Sequence, residues 1–231
     1  MIGKRRREPN QASVALTPDA ARLFSEYHQS YVRFIRFFRY PQGLRSYFLA
    51  SPLLRPGLRV LDAGCGTGVV TLALRDAMVR RGIEKRTLHG FDLTPAMLER
   101  FGETLRTRAI EDVEALQADV LRLDTLPNSW TNYDLVVSAS MMEYLPRDRV
   151  ADALASLRER LTTNGRLVLF ITRRNWLMRP LIGWQWEANL YTATELKDVF
   201  RRAGFSTIVL GTFPASVRHL ALWGHVVEAR R

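Results

Sequence analysis

The sequence predicts an α/β fold built on a mostly parallel sheet with helices on both faces. From Leu58 onward, short apolar segments with strand character alternate with segments whose apolar residues recur at helical spacing. A glycine-rich turn joins the first of these strands to the first helix, as in sheets built from strand–helix–strand units. With 231 residues, 47% of them hydrophobic and 25% charged, the chain can bury one sizeable core.

The region before that sheet is predicted to be helical. The Thr-Pro-Asp sequence at 17–19 supplies an N-cap, a first-turn proline and an early acid, so a helix should start there and run to about Tyr40. Its aromatic residues fall on one face and its arginines on the other. Pro41 and Gly43 are predicted to end it, and a second short helical piece should cover 44–51.

The sheet region gives seven strand segments and four helical ones. The strands are predicted at 58–63, 87–92, 113–117, 133–139, 166–172, 205–210 and 225–230. Helices are predicted at 69–81, 95–109 and 147–161, and a fourth begins at a capping box formed by Thr192 and Glu195 and ends at Gly204. Because only a loop separates the last two strands, we expect them to pair antiparallel at one edge.

Composition and charge limit the possible functions. The longest unbroken apolar run has five residues (167–171), too few to cross a membrane. The basic N-terminus lacks the apolar stretch of a secretion signal, so we expect a cytoplasmic protein, and the single Cys65 excludes an internal disulfide. Residues 1–57 hold ten Lys/Arg and three Asp/Glu, which gives 10 − 3 = +7 of the net charge of +11. Such a bias fits nucleic acid, an anionic membrane or a solvated surface equally well.

The stretch VLDAGCGTG (60–68) is the main functional signal. Gly64, Gly66 and Gly68 stand at alternate positions in the strand-to-helix turn, which is typical of a backbone that approaches a ligand. We expect the free amide N–H groups at the start of the following helix to face the ligand. Asp92 ends the second strand, where a carboxylate can accept hydrogen bonds from both hydroxyls of a ribose, and Asp119 follows the third strand, within reach of an adenine amine or as an ordinary turn acid.

Two classes of nucleoside ligand fit this arrangement. A dinucleotide fingerprint would place a third glycine where this chain has Val69, which disfavours NAD. Asp62, two residues before the first glycine, would repel a pyrophosphate but suits a ligand with positive groups.

Four segments in their order and spacing, VLDAGCGTG, GFDLTPAML, ADV and YDLVVSASMMEYLP, resemble class I S-adenosylmethionine-dependent methyltransferases of the small-molecule type. The resemblance covers the chain from about Leu58 onward. It implies a Rossmann-like, seven-stranded sheet whose last strand is inserted antiparallel. It also implies S-adenosyl-L-methionine as the cofactor.

The resemblance further implies roles for individual residues. The methionine part of the cofactor would lie on the loop of Asp62, Gly64, Cys65, Gly66 and Gly68. Asp92 would bind the ribose hydroxyls. The adenine would be held by Leu93, Val120 and Asp119. Ser138 and Ala139 would lie near the sulfonium.

On this interpretation the chain divides into two parts. Residues 1–57 would be a basic tail and a helical lid, and residues 58–231 the methyltransferase domain, with a lid-like insertion at about 173–191. The insertion contains Trp176, Trp184 and Trp186. We therefore expect a small hydrophobic or lipid-like acceptor, with peripheral membrane contact as a hypothesis, although these aromatic residues would equally suit a cover for the sheet.

Methyl transfer from a sulfonium requires mainly that the acceptor atom be held close and in line. A general base is needed only if the acceptor must first lose a proton, and the candidates are Glu143, Tyr144 and His219, each of which also suits a structural role. No metal is expected, because the ligands for a zinc site are lacking. Two alternatives stay open: an NAD-linked oxidoreductase, and an RNA methyltransferase or other nucleic-acid-binding protein. The oligomeric state is not readable from the sequence.

Overall fold

The computed structural model describes residues 39–84, 86–184 and 188–231. The predicted N-terminal helix up to residue 38 and Trp186 lie outside the described residues. Within the described part of the chain, no helix is both long and apolar enough to cross a bilayer. Nor does that part contain a group of three or more His, Cys, Asp or Glu side chains placed to hold a metal ion.

Seven strands form one sheet in the order β3-β2-β1-β4-β5-β7-β6. Their bounds are β1 Leu58–Ala63, β2 Arg86–Asp92, β3 Val113–Gln117, β4 Tyr133–Ala139, β5 Leu161–Thr172, β6 Thr207–Gly211 and β7 Gly224–Arg230. The first five strands pair parallel, whereas β7 pairs antiparallel with both β5 and β6. This confirms the predicted fold class and the antiparallel last strand. Strand order reverses between β1 and β4, which creates a crevice at their carboxyl ends.

Five α-helices cover the two faces of the sheet. They are α1 Tyr40–Ala50, α2 Val69–Arg80, α3 Pro95–Thr107, α4 Val150–Arg160 and α5 Ala193–Arg202. One buried apolar cluster joins α1 and α2 to one face of the sheet, and a second joins α4 and α5 to the other. Shorter helical turns are Leu123–Thr125, Met142–Tyr144 and Ala215–Leu222, and a π-helical stretch covers Arg179–Trp184.

The first helix corrects one prediction. Pro41 and Gly43 were predicted to end a helix, but they lie in the first turns of α1. Proline is tolerated in a first turn because its missing N–H would have no helical partner there. Gly43 is buried, and a Cβ at this position would overlap the side chain of Leu220. The hydroxyl of Tyr47 in α1 donates a hydrogen bond of 2.5 Å to Glu228 of β7, so this helix is fixed to the sheet.

Most other predicted ends of strands and helices lie within three residues of the observed ends. The main exception is β5, which starts at Leu161 and not at 166, with a shift in its pairing to β4 between Tyr133 and Leu135. The predicted capping box is confirmed: the N–H of Glu195 donates to Thr192 Oγ1 at 3.3 Å, and the N–H of Thr192 donates to Glu195 Oε2 at 2.7 Å.

Candidate active site

The glycine loop lies between β1 and α2, at the carboxyl edge of the sheet beside the crevice. All three of its predicted glycines have positive φ: 75° at Gly64, 52° at Gly66 and 83° at Gly68. L-residues with a side chain rarely adopt this conformation, so the loop requires glycine for its backbone alone.

The surroundings of the three glycines differ. A Cβ at Gly64 would lie 2.5 Å from Met141 Cγ, and one at Gly68 would overlap the ring of Phe101 in α3. At Gly66 the nearest atom to such a Cβ is Asp92 Oδ2, at 4.0 Å. Gly64 and Gly68 are therefore needed for packing, whereas Gly66 borders open space that a ligand can occupy.

Four amide groups of the loop donate hydrogen bonds within the protein. The N–H groups of Gly64 and Cys65 both donate to the carbonyl of Phe91, at 2.8 and 2.9 Å, and that of Gly68 donates to the carbonyl of Cys65 at 2.8 Å. The N–H of Gly66 donates to Asp92 Oδ2 at 2.9 Å. These four amides therefore bind the protein itself and fix the loop against β2. That the free N–H groups at the start of α2 face a ligand stays a prediction.

Asp92 stands at the end of β2 and holds two segments of backbone. Its Oδ2 accepts from Gly66 and its Oδ1 accepts from the N–H of Thr94 at 2.9 Å. Each carboxylate oxygen has a second lone pair, so the side chain can accept two further hydrogen bonds. Burial raises the pKa of Asp92, while these backbone hydrogen bonds lower it.

Asp62 is buried beneath the loop at the end of β1. Its Oδ2 accepts a hydrogen bond of 2.5 Å from the hydroxyl of Thr71 in α2. Its Oδ1 is buried and has no hydrogen-bond partner among the described residues. Burial raises the pKa of Asp62 to about 7, and the charge of Asp92 also contributes to the increase. An unpartnered buried carboxylate oxygen is rare in proteins and indicates a missing donor.

Cys65 and Ser138 have protein partners near the same crevice. The side chain of Cys65 is buried against Gly90 of β2, with its Sγ 3.1 Å from the position of a Cβ there, and burial raises the pKa of its thiol. Ser138, fully buried in β4, donates from Oγ to the carbonyl of Ala63 at 2.8 Å. These contacts connect the ends of neighbouring strands. Ala139 follows, half-buried, at the end of β4.

The residues predicted to hold adenine follow two neighbouring strands. Leu93 comes directly after β2, and Asp119 and Val120 come after β3. Asp119 Oδ1 accepts from the N–H of Leu121 at 2.9 Å, a turn interaction of the kind that the sequence left open. Val120 is buried in the core and Leu93 is half-buried.

The three candidate bases lie in different environments. Glu143 is 2% exposed, and both of its carboxylate oxygens bind Thr172 at the end of β5: Oε2 accepts from its N–H at 3.1 Å and Oε1 from its hydroxyl at 2.8 Å. Burial raises the pKa of Glu143 to about 7. Tyr144 is half-buried against the insertion, whereas His219 is exposed in the turn Ala215–Leu222. The structure therefore brings Glu143 and Tyr144 together and places His219 on a separate segment.

Comparison with known proteins agrees with this geometry. A family model described as a methyltransferase domain matches residues 60–165. The chain is 27% identical over 180 residues to a carboxy-S-adenosyl-L-methionine synthase of Ectopseudomonas mendocina, a match that covers 75% of this chain and 66% of that protein. It is 28% identical over 177 residues to a ubiquinone biosynthesis O-methyltransferase of Cereibacter sphaeroides, with 69% of this chain and 65% of that protein covered. The matches thus span less than two thirds of each relative.

A solved structure shows the same fold. The magnesium protoporphyrin IX methyltransferase of Synechocystis PCC 6803, with bound SAH, superposes with a TM-score of 0.66 at 18% identity, and the match covers 91% of this chain and 97% of that one. The match over residues 60–165 and the shared fold support a class I S-adenosylmethionine-dependent methyltransferase. The same Synechocystis protein has also been solved with bound SAM, the S-adenosylmethionine cofactor. The residues present fit this cofactor, because the unpartnered Asp62 oxygen and the open side of Gly66 meet at one crevice.

Sequence reasoning missed three residues that shape the site of this methyltransferase. Thr71 holds one oxygen of Asp62, Met141 packs over Gly64, and Phe101 packs against Gly68. Thr71 is two residues into a helix, so its spacing from Asp62 could have suggested the contact once the turn was known. Met141 and Phe101 come from other elements and gave no local signal.

Proposed function

We propose that this methyltransferase transfers a methyl group from S-adenosyl-L-methionine to a small, apolar acceptor. The observation that supports it best is the pair of carboxylates, Asp62 and Asp92, at one crevice. Burial raises the pKa of both acids, and the charge of Asp92 raises that of Asp62 further. Among the described residues, neither acid forms an ion pair with a Lys, Arg or His side chain. Two acids without a protein cation favour a positively charged nucleoside and would repel the diphosphate of NAD.

Each of these residues has a role in holding the cofactor. Asp62 Oδ1 accepts from the ammonium of the methionine part, which supplies the missing donor. Asp92 uses its remaining lone pairs for the ribose hydroxyls. Leu93, Val120 and Asp119 hold the adenine, and Ser138 and Ala139 lie towards the sulfonium. Bound in this way, the cofactor supplies an electrophilic methyl group on a positively charged sulfur, and the chain contributes mainly by aligning the acceptor.

The acceptor side is supported by the insertion. Met178, Ile182, Ala188 and Leu190 form a buried apolar cluster with Tyr144 and Trp223 packed against it. This cluster follows β5 and packs against the turn after β4, so an apolar acceptor is favoured beside it. Relatives named for ubiquinone biosynthesis, for the malonyl-acyl carrier protein and for magnesium protoporphyrin IX also support a small-molecule acceptor.

In this proposal, Glu143 holds neighbouring segments of the site in position. Both of its oxygens accept from Thr172, and its carbonyl accepts from the N–H of Asn189 at 2.8 Å, so it joins the turn after β4 to β5 and to the insertion. Tyr144 and His219 stay predictions as bases. Cytoplasmic location and binding of RNA are likewise untested.

The names of several sequence relatives support a second candidate. Several are carboxy-S-adenosyl-L-methionine synthases, whose name describes a product made from the cofactor itself. Mass spectrometry of the turnover products separates the two: release of S-adenosylhomocysteine supports methyl transfer, and a carboxylated cofactor supports the synthase.

Calorimetry tests cofactor binding. S-adenosylhomocysteine should bind and NAD should not. Asp92→Ala should weaken binding roughly tenfold to a hundredfold, because it removes hydrogen bonds to a charged acceptor. It should also lower the free energy of unfolding by about 1–2 kcal/mol, since the N–H groups of Gly66 and Thr94 lose their partner.

Asp134→Ala is the matched control. Asp134 also accepts a backbone N–H, that of Arg59 at 3.0 Å, but it lies at the amino end of β4. This variant should lose stability and keep its affinity for the cofactor. Equal affinities of the Asp92 variant and the original chain would remove Asp92 from the ribose role.

A further inference from the structure

Three large apolar side chains project into solvent at the carboxyl edge of the sheet. Trp176 is 84% exposed, Leu222 is 61% exposed and Leu177 is 38% exposed. We call these three residues the apolar tip. Exposure of this extent is unfavourable in water for a tryptophan, so a group of such residues indicates an interaction surface.

The tip is held in place by hydrogen bonds. Asn175 Nδ2 donates to the carbonyl of Leu222 at 2.8 Å, which joins the two segments. Its Oδ1 accepts from the N–H groups of Leu177 and Met178, at 3.1 and 2.8 Å, and so fixes the turn that carries Trp176. Met178 itself is fully buried in the cluster beneath. One side chain thus orders the whole tip in its exposed position.

The described residues of the two segments that carry the tip have charges of one sign. The two segments that carry it, residues 173–184 and 215–223, contain four arginines and no Asp or Glu. All four arginines are exposed: Arg173, Arg174, Arg179 and Arg218. One of them, Arg174, also forms an ion pair of 3.1 Å with Glu195. An apolar centre surrounded by cations has the composition of a surface that binds anionic interfaces.

The tip lies at the same edge of the sheet as the glycine loop. β5 ends at Thr172, which pairs with Gly224 at the start of β7, so both segments of the tip leave the sheet at that point. The parallel strands β1 and β2 end at the same edge. A surface that contacts the tip would therefore face the side of the molecule where the crevice opens.

We propose that the apolar tip docks this protein onto the surface of an anionic lipid bilayer. Trp176, Leu177 and Leu222 enter the interface, where aromatic and aliphatic side chains are favoured, and the arginines contact the anionic head groups. A second copy of the chain fits this surface less well, because symmetrical contact would bring the two sets of arginines together. The docked orientation would give an apolar acceptor a short path from the bilayer to the crevice.

Co-sedimentation with lipid vesicles tests the proposal. The full chain should bind vesicles of phosphatidylcholine with added phosphatidylglycerol, bind weakly to phosphatidylcholine alone, and be released by salt. Trp176→Ser with Leu222→Ser should lower the partition coefficient at least about tenfold, since apolar surface is lost from the interface. Arg179→Gln and Arg218→Gln should each lower it about fivefold on the anionic vesicles.

Val79→Ser is the matched control, because Val79 is 51% exposed in α2, away from the tip. It should bind vesicles as the original chain does. The proposal is overturned if the chain stays in the supernatant with anionic vesicles at low salt, or if the tip variant and the Val79 variant bind equally. It is also overturned if, without lipid, the tip variant converts a dimer to a monomer in sedimentation velocity. These measurements use neither cofactor nor acceptor, so their failure leaves the proposed methyl transfer untouched.

Discussion

At the scale of single residues, the glycine motif that ends at Gly68 meets two requirements: tight packing and open space for a ligand. The sequence predicts the same role, contact with a ligand, for all three glycines of the loop. In the structure, Gly66 borders the open crevice, whereas Gly64 and Gly68 have Met141 and Phe101 against them. The alternating glycines therefore specify a loop that packs tightly on two sides and is open on the third.

Substitution of Gly68 separates the cost of backbone conformation from the cost of packing. Gly68→Ala should lower the free energy of unfolding by about 3 kcal/mol, because it adds an overlap with Phe101 to a positive φ. Gly57→Ala is the control: its φ is 74°, and a Cβ there has no heavy atom within 4 Å, so the loss should be about 1 kcal/mol. Urea denaturation measures both values.

A second substitution identifies the origin of the difference. If the overlap is the cause, adding Phe101→Leu to Gly68→Ala should recover part of the lost stability relative to Phe101→Leu alone. Equal losses for the Gly68 and Gly57 variants would mean that packing against Phe101 is unimportant.

At the scale of elements, the insertion between β5 and α5 has its own apolar core and is joined to the turn after β4. Asn189 donates through its N–H to the carbonyl of Glu143 at 2.8 Å and through Nδ2 to the carbonyl of Leu145 at 2.9 Å. The side chain of Arg147 lies over the ring of Tyr191, 4.6 Å from its centroid. These contacts fix the insertion beside the turn that follows β4.

Removing the core of the insertion should affect the acceptor more than the cofactor. Met178→Ala should raise the KM for the acceptor severalfold and increase cleavage of residues 173–191 by protease, because a cavity loosens this small cluster. Its affinity for S-adenosylhomocysteine should be unchanged, since the residues proposed to hold the cofactor lie at the ends of β1 to β4 and outside the insertion.

Met78→Ala is the matched control. Met78 is equally buried but lies in α2, within the main core. It should lower the free energy of global unfolding by about 2–4 kcal/mol and leave protease sensitivity of the insertion unchanged. If both methionine variants changed the insertion alike, the insertion would not be a separate unit of stability.

At the scale of the whole molecule, buried carboxyls determine how stability depends on pH. Burial raises the pKa of both Asp62 and Glu143 to about 7. A carboxyl whose pKa is higher in the folded state binds more protons folded than unfolded between its two pKa values. The free energy of unfolding should therefore fall as pH rises through that range.

Glu143→Gln tests this dependence. A glutamine can keep both contacts with Thr172, since its oxygen accepts from the N–H and its amide donates to the hydroxyl. Between pH 4.5 and about 7, the variant should lose stability with pH less steeply than the original chain. The difference should be at most about 1.4 kcal/mol per pH unit for one proton. Urea denaturation across this range measures it.

Glu195→Gln should change the pH dependence of the free energy of unfolding in the opposite direction. Hydrogen bonds from Thr192 and the nearby arginines lower the pKa of Glu195, although partial burial acts against them. Its contribution to stability is present at neutral pH and lost as pH falls below the ordinary range of a glutamate. If the free energy of unfolding changed with pH equally in Glu143→Gln and in the original chain, the raised pKa of the buried Glu143 would be contradicted.

The arrangement of secondary structure was predictable because it depends on local properties of the chain. Alternating and helical spacing of apolar residues located all seven strands and the five α-helices of the described region, but not its shorter helical turns. The capping box of Thr192 and Glu195 was correct in both partners. Local rules failed at Pro41, which suits either the end of one helix or the first turn of the next. Neighbouring residues alone cannot decide between these.

The sequence by itself determined the α/β fold, the strand-to-helix turn with its three glycines, and the acids at the ends of β1, β2 and β3. Those features follow from side-chain periodicity and backbone geometry over a few residues. Only the tertiary structure decided that the loop amides bind the protein, that Glu143 binds Thr172, and that Trp176 and Leu222 share one exposed surface. These contacts join residues far apart in the chain, so they depend on how strands are ordered and layers packed, which no local pattern encodes.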